Sequence, residues 1–184
     1  MVTVMTSLEH RELYLLFARL LRYPDRDTAA VGAECRQRLL ASNPSAAERL
    51  RDFVDYAQDA PPSRLEELFI ATFELHSLYH PYVGYQLCGE SRQRTLLLIK
   101  LNELYRQHGY DAGTELPDHL AELLRFIGSV KDRSCCADLV NDALLPALAN
   151  LETTFQTTDH PYRSLLESLR LWLSSARKHE GVRL

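Results

Sequence analysis

The sequence predicts an all-α fold, a single-domain bundle of about eight helices spanning residues 1–184. Apolar residues recur at helical spacing along most of the chain, and no segment alternates with the period of a strand. Only seven glycines are present, too few for a turn-rich β protein. A chain of 184 residues can bury roughly 70% of its unfolded surface, so it needs no disulfide or metal staple.

The first helix is marked by Leu13, Leu16, Phe17, Leu20 and Leu21, at i, i+3, i+4, i+7 and i+8, behind a capping-box pattern of Thr6 and Glu9. A weaker helical segment covers Val31 to Leu40. Ser45 with Glu48 and Ser63 with Glu66 repeat the capping-box pattern, ahead of stripes built on Leu50, Phe53, Val54 and Ala57, and on Leu68, Phe69, Thr72 and Phe73. Leu97, Leu98, Leu101, Leu104 and Tyr105 form another stripe ending near Gly109. Leu116, Leu120, Leu123, Leu124 and Ile127 lead to Gly128, and both glycines suit the left-handed residue just past a helix. Leu139, Val140, Ala143, Leu144 and Leu148 continue through Pro146, which should kink or break that segment. The last helix has Asp159 as a cap, Pro161 in its first turn, and Tyr162, Leu165, Leu166, Leu169, Trp172 and Leu173 on one face.

The segment Leu78 to Arg92 breaks the pattern. Punctuated by Pro81, Gly84 and Gly89, it reads as a long connection carrying Tyr79, Tyr82 and Tyr85. Long connections in compact domains often carry function, and three tyrosines offer wide contact area. Charge is uneven around it. From Leu65 to Ser91 there is no Lys or Arg against Glu66, Glu67, Glu74 and Glu90, and from Gln107 to Leu124 none against Asp111, Glu115, Asp118 and Glu122. An acidic, aromatic surface of this kind suits a basic, partly apolar peptide; the alternative is a set of solvated acids near positive helix ends.

A net charge of −4 supplies no general attraction to nucleic acid or anionic membrane. The amino terminus lacks a basic, apolar signal, and the longest aliphatic run, Leu96 to Ile99, falls far short of the ~20 residues that span a bilayer. A cytoplasmic protein is expected, with Cys35, Cys88, Cys135 and Cys136 as reduced thiols. His76 and His80 stand one helical turn apart, yet the His-Glu-x-x-His pattern and a third ligand are missing. Glu115-Leu116-Pro117-Asp118-His119 places a carboxylate beside a histidine, but consecutive helical residues diverge by about 100°, and a plain helix start explains the string as well. No nucleophile elbow, phosphate loop or dinucleotide fingerprint is present, so neither an enzyme nor a bound cofactor is expected.

Several strings together resemble the redox-enzyme maturation chaperones, in particular the nitrate reductase delta-subunit (NarJ) branch of the TorD/DmsD superfamily. They are Leu20-Leu21-Arg22-Tyr23-Pro24-Asp25, Glu67-Leu68-Phe69, Gly89-Glu90-Ser91-Arg92-Gln93-Arg94, His108-Gly109, Glu115-Leu116-Pro117-Asp118-His119-Leu120 and Tyr162-Arg163-Ser164-Leu165-Leu166, in family order across nearly the whole chain. The Gly-Glu-Ser-Arg and Glu-Leu-Pro-Asp-His pair is the most specific. The resemblance implies an all-helical protein that holds the apo catalytic subunit of a molybdenum oxidoreductase of the dimethyl sulfoxide reductase family, or its amino-terminal or twin-arginine-type peptide, until the cofactor is inserted. It also implies client binding by Leu68, Phe69, Asp118 and His119. With the tyrosine loop and the two motifs, the expected client-binding set is Leu68, Phe69, Tyr82, Tyr85, Gly89, Glu90, Ser91, Arg92, Glu115, Pro117, Asp118 and His119.

Truncating Asp118 or His119 near a helix start should then cost ~1 kcal/mol or less of stability while impairing client maturation. Cys88 before the Gly-Glu-Ser-Arg string, and Gln93 and Thr95 after it, depart from the respiratory nitrate reductase pattern, as does the lack of a long charged tail. These departures leave another molybdoenzyme open as the client. Two alternatives from other classes are a small metal-dependent hydrolase using His76, His80 and Asp118, and a structural subunit of a redox complex.

Overall fold

The structure is a computed structural model that describes residues 7–75, 79–155 and 159–180. Helix α1 (Ser7–Leu20) carries the first apolar stripe, and Leu13, Phe17 and Leu20, with Leu21 just beyond, are almost completely removed from solvent. Thr6, half of its expected capping box, lies outside the described residues. In the following turn Pro24 is buried and Asp25 organises the start of α2 (Thr28–Ser42): its Oδ1 accepts from the Asp27 amide at 2.9 Å, and its own amide donates to Thr28 Oγ1 at 2.8 Å.

Helix α3 (Pro44–Asp59) is capped by Asn43, whose Oδ1 accepts from the Ala46 amide at 3.0 Å, and not by the expected Ser45 box. Proline fits the first turn because its missing N–H is one that the helix leaves unpaired there. The same logic starts α4 (Pro62–Phe69) at Pro61-Pro62 instead of the Ser63 box. α4 runs on as a π-helical turn over Ile70–Glu74, where Thr72 Oγ1 donates back to Leu68 O at 2.6 Å.

The expected long connection contains a short helix, α5 (Val83–Cys88). It is followed by α6 (Arg92–Gln107), α7 (Leu120–Ser129) and α8 (Arg133–Asp138). α8 passes through a π-helical turn, Leu139–Leu144, directly into α9 (Leu145–Thr154), and α10 (Pro161–Glu180) closes the bundle. Among the described residues there is no strand, only an isolated antiparallel bridge between Tyr82 and His119.

Three sequence expectations change here. Pro146 does not break its helix, because the π-helical turn before it widens the backbone where the ring would meet the preceding turn. Gly109 is left-handed past α6, at φ +64, whereas Gly128 lies inside α7, and Leu116 stands exposed ahead of it. A Cβ on Gly128 would come within 3.0 Å of Leu15 and 3.1 Å of Tyr14, so this glycine lets α1 and α7 approach. Arg11 then caps α7, donating from Nε to Gly128 O at 2.9 Å and from its terminal nitrogen to Ser129 O at 3.1 Å. Finally, His160 starts α10 in place of Asp159: its carbonyl accepts from the Ser164 amide at 3.2 Å and its ring Nδ1 from the Tyr162 amide at 3.2 Å.

Packing follows the stripes. α3 lies between α2 and α10, α1 between α2 and α7, and α9 against α5 and α10. Trp172 anchors the centre, edge-on to Tyr14 at 4.8 Å and stacked on Phe17 at 5.6 Å. The core runs continuously from Leu13 to Leu173, and none of the four cysteines is in a disulfide. None of the described helices is long and apolar enough to cross a membrane.

Candidate functional site

The Tyr82–His119 bridge ties the tyrosine segment to the start of α7. The Val83 amide donates to Asp118 O at 2.8 Å and the Leu120 amide to Pro81 O at 2.7 Å. Asp118 is thereby carried wholly out of solvent, 0% exposed, where its Oδ2 accepts from Arg94 Nε at 3.0 Å. The guanidinium also pairs with Glu90 from the rim at 2.5 Å and lies over the rings of Tyr82 and Tyr85, 5.4 and 5.9 Å from their centroids. Burial works against the Arg94 cation, but Asp118 and Glu90 outweigh it and raise its pKa.

Gly84 makes the fit possible. A Cβ there would stand 2.8 Å from Asp118 Oδ2 and 3.1 Å from Arg94 Cγ. Asp118 Oδ1 is buried with no hydrogen-bond partner among the described residues. His119 caps α7, its Nδ1 accepting from the Ala121 amide at 3.2 Å, and burial lowers its pKa against the pull of Glu115 and Glu122. Tyr82 donates to Glu115 at 3.3 Å, and burial followed by that carboxylate raises its pKa.

A second cluster surrounds α4. Phe69 is buried, its ring centroid 5.1 Å from Phe73, 5.9 Å from Tyr162 and 5.7 Å from Tyr23. Tyr23 and Leu75 remain 52% and 72% exposed, and the Tyr23 hydroxyl, next to Glu66, has its pKa raised by desolvation and then by that carboxylate. A crevice of about 50 Å³ opens alongside, lined in part by Pro24, Ala29, Ala57, Pro62, Leu65 and Glu66. His160 holds this region from behind: with Nδ1 accepting, its Nε2 is the donor, 3.3 Å from Thr72 Oγ1.

A family model described as nitrate reductase delta subunit matches residues 39–166. The chain belongs to this family. A Bacillus subtilis (strain 168) protein assigned as a nitrate reductase molybdenum cofactor assembly chaperone, NarJ, is 26% identical over 180 residues, covering 97% of each chain. A solved Archaeoglobus fulgidus protein assigned to redox enzyme maturation superposes with a TM-score of 0.61 at 17% identity, covering 94% of this chain and 96% of that one, and shows the fold alone. The role named for the B. subtilis relative is non-enzymatic, in keeping with the absence of catalytic motifs from the sequence.

Within this delta-subunit family member the expected residues divide. Tyr82, Tyr85, Glu90 and Asp118 come together around Arg94, Glu115 and His119 join them through Tyr82, and Tyr105 donates to Pro117 O at 2.7 Å. Gly89 and Ser91 shape the backbone: Gly89 turns α5 at φ +60, and Ser91 caps α6 by accepting from the Arg94 amide at 3.3 Å. Arg92 begins α6 exposed to solvent. Leu68, half-buried, and Phe69 belong to the other cluster.

The expectation that Asp118 can be truncated at little cost is corrected: it is the buried half of an ion pair, and not a polar residue at an open helix start. The same burial removes it as a free base for a hydrolase. His80 Nδ1 sits 3.4 Å from Phe73 O, and His76 lies outside the described residues. Sequence reasoning quoted Arg94 only as the end of a motif. Its signal was its phase on α6, seven and eleven residues before the buried Leu101 and Tyr105.

Proposed function

We propose that the protein is a cytoplasmic assembly chaperone for the catalytic subunit of a molybdenum oxidoreductase, of which nitrate reductase is the favoured case. It holds the subunit's amino-terminal segment at the α4 face while the cofactor is inserted. Family membership supports the class, as does the role named for the B. subtilis relative. The observation that carries the site is the exposed Tyr23, edge-on to the buried Phe69 and close to the carboxylates of Glu66 and Glu74, with Leu75 exposed at the end of the π-helical turn that follows α4. Aromatic and aliphatic surface inside an acidic rim offers a basic, amphipathic peptide both apolar anchorage and charge complementarity. The neighbouring crevice has room for one small apolar side chain.

Calorimetric titration with the amino-terminal peptide of the nitrate reductase catalytic subunit from the same organism tests this reading. Binding in the micromolar range, about −8 kcal/mol, is expected, weakening as salt rises and weakening further in Glu66→Lys and Glu74→Lys. Absent binding, or affinity indifferent to salt and to both substitutions, counts against the acidic face.

A further inference from the structure

Helix α6 violates the rule that a surface helix hides its apolar side. Leu96-Leu97-Leu98-Ile99 is apolar all the way round one turn, a pattern that belongs to a helix covered on every side. Only Arg94, Leu101 and Tyr105 of this helix are buried, on its inner face. On the opposite face Leu96 and Ile99 stand 50% and 58% exposed.

The residues around that pair are ordered. Arg92, Leu96, Ile99 and Glu103 are spaced four, three and four apart and fall within about 60° on one side of the helix, the a/d spacing of a coiled-coil seam about 16 Å long. Arg92 and Glu103 are both exposed, and neither forms an ion pair among the described residues. A four-three-four stripe reads the same in both directions, with a cation at one end and an anion at the other.

We propose that α6 is a self-association surface whose occupant is α6 of a second copy, packed antiparallel about a two-fold axis between Leu96 and Ile99. That operation sets Leu96 against Ile99 of the partner subunit, and Arg92 against Glu103 of the partner subunit, each contact made twice as an isologous interface requires. Lys100 falls opposite the uncharged Thr95 of the partner subunit. A parallel pairing would instead set Arg92 on its own copy, so charge selects the antiparallel arrangement. The seam is short and sits at the small end of specific interfaces, so the dimer is weak and concentration-dependent. It uses none of the residues named at the α4 face.

Sedimentation velocity of the full chain from about 10 µM to about 1 mM covers the range in which an interface of this size acts. Wild-type protein is expected to self-associate, and Arg92→Glu and Glu103→Arg alone to raise the dimer Kd at least tenfold, since each puts like charges at both ends of the seam. An equimolar mixture of the two variants should recover wild-type association, because the mixed pair restores both opposite-charge contacts. Circular dichroism of each variant should match wild type, as both side chains lie at the surface. A wild-type chain that stays monomeric to about 1 mM, single variants that associate as wild type does, or a mixture that fails to recover would each overturn the proposal.

Discussion

Asp118→Ala separates a structural centre from a loosely held contact residue. Removing one member of a buried ion pair costs ~3–5 kcal/mol, because the remaining charge stays desolvated. Two features of this site lower that figure. Glu90 still meets the Arg94 guanidinium from the rim, and the buried Asp118 Oδ1, which has no hydrogen-bond partner among the described residues, no longer carries a desolvation cost of ~1–3 kcal/mol. The net loss is about 2–3 kcal/mol, or roughly 5–10 °C in Tm for a chain of this length. Asp118→Asn, which keeps an acceptor for Arg94 Nε, should lose about half as much. In an Arg94→Met background Asp118→Ala should cost far less, since no guanidinium is left unpaired. Thermal scans and urea titrations of wild type, the three single variants and the double variant measure these differences. A Tm within about 2 °C of wild type for Asp118→Ala, or identical costs in the two backgrounds, would refute the buried pair.

Gly128→Ala should destabilise the fold by about 1–3 kcal/mol, read as a lowered urea midpoint, because the new Cβ would press within 3.0 Å of Leu15 and part α1 from α7. The pH dependence has a definite sign. Burial, the leading cause in both cases, lowers the pKa of His119 and His160 below the ordinary 6.5, and both rings accept a backbone amide at Nδ1, which only the unprotonated nitrogen can do. Their contribution is present above pH 6.5 and is lost as pH falls below it, because the unfolded chain takes up protons that the folded chain refuses. Tm should therefore drop between about pH 6.5 and pH 5, and His160→Asn, which retains a capping acceptor without the titration, should flatten part of that slope.

Much of the fold was legible because helical burial writes a period into the chain. The stripes on Leu13 through Leu21, Leu50 through Ala57 and Tyr162 through Leu173 all fold as read, and the family strings located both clusters. The errors concentrate at ends and turns. Asn43, Pro61 and His160 start helices that serine boxes or an aspartate were expected to start, since several residues within a turn can satisfy the same free amides and the approach of neighbouring helices selects among them. α5 was hidden because its six residues are ordered by tertiary partners, with too little local period to announce a helix.

By itself, the order of residues determined the helical class, the acidic and aromatic middle of the chain, and the kinship with delta-subunit proteins. Those properties depend on spacing and composition, which are local. Only the tertiary structure decided that Asp118 is a buried anion locked to Arg94, that Gly84 and Gly128 are points of close approach, that Phe69 lies in the core while Tyr23 and Leu75 face outward, and that Leu96 and Ile99 stand uncovered. Each is a statement about which side of an element meets another, and that is set by packing between segments far apart in the chain, Arg11 and Gly128 being 117 residues apart.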